Sequence, residues 1–341
     1  MKRNEFITSA AILTGSALFP GRSFGLPEGS EAELIRPAYL KKGDTIAITC
    51  PAGYISFEDI QPAVKQMESW GFKVRVGNTV GKRDFTFGGT DEERARDLQI
   101  LLDDPNVKAI MCARGGYGVA RIIDKISFTR LKERPKWIIG FSDITALHLH
   151  INRNFPIVSI HSKMCNSFPD NWETAEPVVQ ETILSIRDAL TGTKMKYKVT
   201  PDEHNRPGIG QGVLIGGNLS IVQNLMGTNS EISTTGKILF LEEVGEYLYS
   251  LDRMFMNLKR AGKLDKLAGL VIGGFNKIKA DDPGEEFGRD VYNIIMEKAG
   301  AYKYPVCFNF PVGHQKNNYA LKCGAMHLLT VRKEDVELVE K

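Results

Sequence analysis

Residues 137–147 read WIIGFSDITAL, and the rest of the chain is organised around this stretch. An apolar run ends at Gly140, Ser142 follows two positions later, and a helical pattern begins at once. This order predicts a strand, a tight turn and a helix, with one hydroxyl at the bend. A nucleophile elbow has that arrangement, although it usually carries glycine where this chain has Ile144. Serine is also a favoured helix N-cap, so the stretch alone fits either role for Ser142.

The bulk properties describe a globular protein with room for two domains. The chain has 341 residues and a formal net charge of +3, and chains of this length commonly divide into two domains. A nearly balanced charge gives no basic surface for nucleic acid or for a polybasic membrane contact. We therefore expect neither nucleic acid nor an integral membrane span among its interactions.

The sequence contains no pattern typical of a metal site or of a disulfide framework. The six histidines do not cluster as metal ligands do, and neither HExxH nor paired CxxC motifs occur. We therefore predict no metal and no cofactor. The five cysteines are odd in number and widely spaced. Because Cys50, Cys112 and Cys307 lie in apolar, strand-like runs, we predict small buried hydrophobic residues rather than a disulfide framework.

The N-terminus has the pattern of an export signal. Lys2 and Arg3 precede an apolar run over residues 6–19, and a Pro20-Gly21 break follows. The run is too short for a transmembrane helix, so residues 1–25 are predicted to be a signal peptide. This predicts an exported, periplasmic protein. The alternative is a cytoplasmic protein whose N-terminal helix is disordered or docked.

The body of the chain is predicted to be α/β. Strand-like and helical segments alternate through residues 36–195, which indicates a parallel, doubly wound sheet domain. Residues 196–212 are polar and contain proline and glycine, so they are predicted to be a linker. Residues 213–341 are predicted to form a second, mixed α/β domain. Functional sites of such sheets form at the carboxyl ends of strands, and we expect the active site between the two domains.

Three loops that follow predicted strands carry chemically useful side chains. The first contains Ser142. In the second, an apolar strand over residues 237–241 leads into Glu242 and Glu243, with Glu246 three residues later. In the third, His314 follows a glycine after another short apolar run. Because side chains alternate along a strand, Glu242 and Glu243 should face opposite sides of the sheet.

These motifs resemble the LD-carboxypeptidase family of serine peptidases, which is typified by murein tetrapeptide carboxypeptidase and includes microcin C immunity peptidases. They occur in family order and cover nearly the whole chain after the predicted signal peptide. The matching motifs are ARGGYG at 113–118, GFSDITAL at 140–147, LIGGNL at 214–219, LFLE at 239–242, LDR at 251–253 and GH at 313–314.

The resemblance implies that Ser142 is the nucleophile, His314 the general base and Glu242 the carboxylate that orients the histidine. A serine hydroxyl is a weak nucleophile and needs an adjacent base, which histidine supplies near neutral pH. A buried carboxylate fixes the tautomer of the histidine and stabilises its protonated form. The implied reaction removes a terminal D-amino acid, D-alanine, from the tetrapeptide stem of peptidoglycan. The resemblance also implies a homodimer.

Further residues are candidates for substrate contacts. The oxyanion hole should combine the N–H of Asp143 with an N–H of the Gly115-Gly116 turn, since glycines allow close backbone approach. A plain strand-to-helix turn is the alternative for the two glycines. Arg114 suits a terminal carboxylate or a structural ion pair. Glu246 is a candidate to brace its loop or to meet the substrate amine.

One motif departs from the family. The family usually shows His-Gly-Pro where this chain has His161-Ser162-Lys163, and we expect this change to alter the pocket wall and the substrate preference. The other histidines are interpreted as structural: His148, His150, His204 and His327.

Three rival functions remain for the sequence. The first is a microcin-immunity-like amide hydrolase on the same scaffold. The second is an ordinary α/β-hydrolase esterase, which Ile144 and the mixed C-terminal half argue against. The third is a non-catalytic protein that binds wall peptides, which would require a misassembled triad.

Overall fold

Two β-sheets organise the computed structural model, which describes residues 34–341. The predicted signal peptide, residues 1–25, lies outside these described residues. The strands of this part of the chain are β1 (Thr45–Thr49), β2 (Lys73–Val76), β3 (Val107–Cys112), β4 (Trp137–Gly140), β5 (Ser159–His161), β6 (Lys196–Val199), β7 (Gly208–Asn218), β8 (Ile238–Val244), β9 (Gly269–Asn276), β10 (Val306–Cys307), β11 (Leu321–Cys323), β12 (Met326–Val331) and β13 (Val336–Glu340).

The α-helices alternate with the strands through most of the described chain. They are α1 (Gln61–Ser69), α2 (Asp91–Asp103), α3 (Val119–Ile122), α4 (Thr129–Glu133), α5 (Thr145–Asn154), α6 (Pro177–Thr191), α7 (Leu219–Asn224), α8 (Leu248–Arg260) and α9 (Val291–Ala299). None of these helices is long and apolar enough to cross a membrane.

The first sheet has the strand order β11-β5-β4-β3-β1-β2. Its strands are parallel except for β11, which pairs antiparallel with β5. Both faces are covered: along β1, Ala47 packs into one hydrophobic cluster, whereas Ile46 and Ile48 pack into another. A strand buried on both faces must be apolar throughout, which is why β1, β3 and β4 could be recognised in the sequence. The predicted doubly wound parallel sheet is confirmed.

The second sheet is mixed, as predicted, with the order β10-β9-β8-β7-β12-β13-β6. Strands β7 to β10 are parallel, and β12, β13 and β6 extend the sheet in antiparallel fashion. The predicted linker, residues 196–212, needs correction because it contains β6 and the first residues of β7. Strand β6 has an exposed lysine at alternate positions and owes its strand conformation to pairing with β13.

Local sequence signals set several element ends as expected. Helix α2 begins with a capping box in which Thr90 Oγ1 accepts from Glu93 N at 3.2 Å and Glu93 Oε2 accepts from Thr90 N at 3.0 Å. Helix α1 begins later than the sequence pattern indicates, because Pro62 lies in its first turn. All five cysteines are buried and free, so the prediction of small hydrophobic residues holds for Cys50, Cys112 and Cys307.

The two sheets meet at the first turn of helix α5. Thr145 Oγ1 accepts a hydrogen bond from Asn218 N at 3.1 Å, and both residues are buried. Asn218 ends β7 of the second sheet, whereas Thr145 follows β4 of the first. This contact places the carboxyl end of β4 beside the carboxyl ends of β7 and β8. The site described next lies between these strand ends.

Candidate active site

Ser142 occupies a strained turn directly after β4. It begins a single 3₁₀ turn, Ser142–Ile144, that leads into α5, and its φ angle is +62°. Non-glycine residues rarely adopt this left-handed region, and those that do are concentrated at functional sites. Ser142 makes no capping hydrogen bond to either helical segment. The N-cap interpretation of Ser142 is therefore wrong, and the turn has the backbone form of a nucleophile elbow.

Glu242 and His314 form a hydrogen-bonded pair at the second sheet. His314 Nδ1 lies 2.7 Å from Glu242 Oε2, and the Glu242 side chain is fully buried within β8. A carboxylate can only accept, so Nδ1–H is the donor and Nε2 is left to accept a proton. The imidazole itself is 22% exposed. The pair thus has the arrangement of a histidine base oriented by a buried carboxylate.

Gly313 makes this close approach possible. Its φ angle is +107°, and a Cβ atom at this position would lie 2.6 Å from Glu242 Cβ. Any side chain here would displace the carboxylate or the histidine loop. The glycine that precedes His314 is therefore a steric requirement of the pair.

The serine lies close to the pair without being bonded to it. The ring of Phe141, the residue before Ser142, lies with its centroid 4.8 Å from the centroid of the His314 imidazole. Ser142 Oγ forms no hydrogen bond within residues 34–341, and the side-chain bond of the pair joins only Glu242 and His314. Two of the three predicted catalytic residues are thus in direct contact, and the third lies on the adjoining turn.

The Gly115-Gly116 turn lies against the serine. A Cβ atom on Gly115 would be 2.9 Å from Ser142 Cβ and 3.1 Å from Ser142 Oγ, so only glycine fits. Gly116 has a φ angle of +104°, which also favours glycine. Within residues 34–341, the N–H groups of Gly115, Gly116 and Asp143 donate no hydrogen bond. These three N–H groups were the predicted oxyanion-hole donors.

The side chain of Asp143 has a role that the sequence did not reveal. Its carboxylate is buried and accepts a hydrogen bond from Val119 N at 2.8 Å. This bond ties the start of α3, just past the Gly115-Gly116 turn, to the serine turn. Burial raises the pKa of Asp143 to about 6, although the Val119 hydrogen bond and the charge of Arg94 oppose the shift.

Arg114 and Glu246, the predicted substrate-binding residues, are not bonded to the triad candidates. Arg114 is exposed, forms no ion pair within the described residues, and donates from Nη1 to Tyr54 O at 3.0 Å. The structural ion pair considered for Arg114 is therefore not formed. Glu246 is half-buried and lines a cavity of about 590 Å³ beside α8, together with Ser250 and Arg253. None of Ser142, Glu242 and His314 lines that cavity.

Comparison with known proteins identifies the family of the chain. The sequence profile of the LD-carboxypeptidase N-terminal domain matches residues 46–162, and that of the LD-carboxypeptidase C-terminal domain matches residues 211–329. The chain belongs to the LD-carboxypeptidase family. The first matched range contains Ser142, and the second contains Glu242 and His314.

Individual LD-carboxypeptidase relatives extend over most of the chain. A probable murein peptide carboxypeptidase of Bacillus subtilis is 32% identical over 292 residues, covering 85% of this chain and 90% of that protein. The microcin C7 self-immunity protein MccF of Escherichia coli is 25% identical, and the match covers 89% of this chain and 95% of that protein. The crystal structure of muramoyltetrapeptide carboxypeptidase from Oxalobacter formigenes has a TM-score of 0.77 at 27% identity and covers 87% and 98%.

Lys163 belongs to the site although sequence reasoning assigned it no role. Its Nζ donates to Gln315 O at 2.6 Å and lies 5.6 Å from the Phe141 ring centroid. Burial lowers the pKa of Lys163, and the negative charge of Glu242 opposes that shift. The departure from the His-Gly-Pro pattern of the LD-carboxypeptidases was the signal that could have located it.

The neighbouring carboxylate, Glu243, and the buried His148 have structural partners. Glu243 faces away from His314 and accepts from Asn218 Nδ2 at 2.9 Å and from Ser220 N at 2.7 Å, as strand alternation predicts. His148 is fully buried, and its Nε2 lies 2.8 Å from Gly140 O. Burial lowers the pKa of His148 to about 4. No group of three or more histidine, cysteine, aspartate or glutamate side chains within residues 34–341 is arranged to hold a metal ion.

Proposed function

We propose that this LD-carboxypeptidase is a serine peptidase that releases terminal D-alanine from the tetrapeptide stem of peptidoglycan. The observation that carries the proposal is the Glu242–His314 hydrogen bond, which lies beside a serine in a left-handed turn. Relatives named for murein peptides and for muramoyltetrapeptide give support for the substrate class. The bond that is cut joins an L-configured centre to the D-amino acid.

In this proposal, Ser142 attacks the carbonyl carbon of the scissile bond. His314 Nε2 takes the proton from Ser142 Oγ, and Glu242 stabilises the resulting imidazolium through Nδ1–H. The C–N bond then breaks as His314 returns the proton to the leaving amine, which departs as D-alanine. Water activated by His314 hydrolyses the acyl-serine ester and restores the enzyme.

The N–H groups near the serine would stabilise the oxyanion of each tetrahedral intermediate. Asp143 N and an N–H of the Gly115-Gly116 turn are free to donate, and Gly115 lies against the serine. Loss of one such donor commonly lowers turnover by about 10²–10³. The hydrogen bond from Val119 N to the Asp143 carboxylate would keep the two donor segments in register.

The decisive experiment compares the purified chain with its Ser142→Ala variant. Each is incubated with a disaccharide tetrapeptide, and free D-alanine is measured by mass spectrometry. We expect release by the parent and a loss of more than about 10⁴-fold in the variant, because nucleophile removal in serine peptidases has effects of that size. Equal release by both proteins would exclude Ser142 as the nucleophile.

A second function on the same site is an amide hydrolase like the microcin immunity protein. The 25% identity to MccF over 89% of the chain favours keeping it as a candidate. Hydrolysis of aminoacyl-nucleotide amides, combined with no release of D-alanine from any muropeptide, would replace the first proposal with this one. Muropeptide binding without hydrolysis of either substrate would indicate a non-catalytic wall-peptide-binding protein.

We further propose export to the periplasm and a homodimeric state. The basic and apolar pattern of residues 1–25 supports export. N-terminal sequencing of the protein from periplasmic and cytoplasmic fractions tests the cleavage of this segment. Light scattering of the purified protein tests the dimer.

A further inference from the structure

Lys163 carries a positive charge that forms no salt bridge within residues 34–341, although the negative charge of the Glu242 carboxylate acts on it. Its side chain is half-buried, and within the same residues it forms one hydrogen bond, from Nζ to the backbone carbonyl of Gln315 at 2.6 Å. An ammonium group has three N–H donors. Two of them are therefore available, in a place where burial lowers the pKa of the group because solvation is lost.

The position of this ammonium relates it to the reacting groups. Phe141, whose ring lies 5.6 Å from Lys163 Nζ, immediately precedes Ser142. Gln315, which accepts the hydrogen bond, immediately follows His314. Lys163 Nζ thus lies between the chain segment of the proposed nucleophile and that of the proposed base.

We propose that Lys163 binds the terminal carboxylate of the substrate. This assignment rests on the proposed carboxypeptidase function. In that reaction His314 protonates the leaving amine, and the Cα atom bonded to this amine bears the terminal carboxylate. We therefore expect the carboxylate to lie close to the base, and the Lys163 ammonium contacts Gln315, the residue that follows His314.

Arg114, which the sequence offered as one candidate for this role, is less suited. Its side chain is exposed, and Nη1 is occupied by Tyr54 O at 3.0 Å. A half-buried ammonium that forms no salt bridge gains more from an anion than an exposed guanidinium does, since water screens the latter. The structure therefore moves the carboxylate contact from Arg114 to Lys163.

Lys163 also lies in the segment His161-Ser162-Lys163, where the sequence departs from the pattern that the resemblance implies. We therefore expect this chain to discriminate between a free carboxylate and a neutral end group through Lys163.

The test compares two substrates, a tetrapeptide ending in free D-alanine and the same peptide ending in D-alaninamide. We measure kcat/KM on both for the parent and for Lys163→Met. Hydrogen bonds to a charged group support a loss of about 10- to 100-fold on the free acid. The amide should change by less than about 3-fold, because its neutral end has no charge to pair.

Three further variants make the result specific. Lys163→Gln retains an N–H donor for Gln315 without the charge and should behave like Lys163→Met, whereas Lys163→Arg should retain most of the preference for the acid. Lys316→Met is the matched control, because Lys316 lies two residues after His314 but is exposed and paired with Glu176 at 2.6 Å. Lys316→Met should leave kcat/KM unchanged on both substrates.

Two outcomes would overturn the assignment and can be told apart. Equal slowing of both substrates in Lys163→Met and Lys163→Gln would show that the lysine only positions the histidine loop, while the carboxypeptidase function stands. A parent protein that releases no D-alanine from the free acid would refute the proposed function and the Lys163 assignment with it. Thermal melting identifies any variant that fails to fold. The Lys163 variants that do fold then test the assignment.

Discussion

The serine turn (residues 140–145) and the acid–base pair (Glu242 with His314) show two different ways of placing a reactive group. In the serine turn, all the atoms that set the geometry come from six consecutive residues, and the backbone holds Ser142 at a φ angle of +62°. In the acid–base pair, the partners are 72 residues apart, and packing holds a fully buried carboxylate 2.7 Å from an imidazole nitrogen. The turn depends on local backbone conformation, whereas the pair depends on the second sheet and its loops.

The two regions should therefore respond differently to substitution. A substitution in the serine turn acts through nearby backbone, mainly at Gly115 and Asn218, which contact the turn from outside. A substitution near the acid–base pair acts through buried volume and charge. Glu242 is fully buried, so water cannot fill a gap or screen a change in charge. Variants of either region can therefore separate activity from stability.

The largest effect should come from Glu242→Gln. This change removes the charge that stabilises the imidazolium and should lower kcat by about 10³–10⁴ with the fold retained, as for comparable triad carboxylates. Steady-state kinetics on the tetrapeptide measure it.

The matched control for Glu242 is its neighbour Glu243. Burial raises the pKa of Glu243, and its carboxylate accepts from Asn218 and Ser220 rather than from His314. Glu243→Gln should lower the melting temperature and reduce kcat far less than Glu242→Gln. Equal losses of kcat in both variants would contradict the assignment of the orienting carboxylate.

The next effect tests the packing of the acid–base pair. Gly313→Ala places a methyl group 2.6 Å from the present Glu242 Cβ position, at a φ angle of +107°. Overpacking and backbone strain together should cost about 2–5 kcal/mol of unfolding free energy. Denaturant unfolding measures this cost, and kcat should fall in parallel.

Gly245→Ala separates strain from overpacking. Gly245 follows β8, has a φ angle of +77°, and has open space around its Cβ position. Its substitution should cost only the strain contribution, about 1 kcal/mol. If the two glycine variants were equally destabilised, close packing of Gly313 against Glu242 would not be the cause.

A pH-dependent effect is expected in the serine turn from Asp143. Since burial raises its folded pKa from 3.8 to about 6, protonation favours the folded state; the stabilisation is complete below about pH 4 and is lost as the pH rises through about 6. Asp143→Asn keeps an oxygen acceptor for Val119 N and has no such titration. Its unfolding free energy relative to the parent should rise by about 2 kcal/mol from pH 4 to pH 7.

Unfolding curves at several pH values test the Asp143 prediction. The comparison with the variant cancels the titration of all other carboxylates. A difference that stays constant between pH 4 and pH 7 would show that the Asp143 carboxylate titrates at its ordinary pKa.

The smallest effect concerns the junction between the two regions. Thr145→Val preserves the side-chain shape but leaves the buried Asn218 N–H without its acceptor at 3.1 Å, which should cost about 1–3 kcal/mol. Thr145→Ser keeps the hydroxyl and is the control. If the valine variant is as stable as the serine variant, the hydrogen bond does not contribute to holding the sheets together.

The features that sequence reasoning located depend on few neighbouring residues. The strand before Ser142 is a short apolar run, and the Thr90 capping box involves only residues 90–93. Strands β6 and β11, with four and three residues, were missed because they carry no strong pattern of their own. They become strands by pairing with β13 and β5, far away in the sequence.

The same division applies to the site residues. The order of Ser142, Glu242 and His314 could be anticipated because each follows a recognisable apolar strand. The roles of Lys163 and Asp143 could not, since their partners Gln315 and Val119 are 152 and 24 residues away. Arg114 was favoured for its chemistry alone, and the structure shows it exposed and bonded to Tyr54.

The sequence by itself determined the α/β class, the resemblance to the LD-carboxypeptidase family and the residues that stand at strand ends, because periodicity and turn chemistry are local properties. Only the tertiary structure decided that Ser142 is held in a left-handed turn without capping a helix. The tertiary structure also brings Glu242, and not Glu243, to His314, and brings Lys163 Nζ to the backbone carbonyl of Gln315. Those outcomes depend on which buried atoms fill the space between two sheets, and close packing is settled only when both sheets have formed.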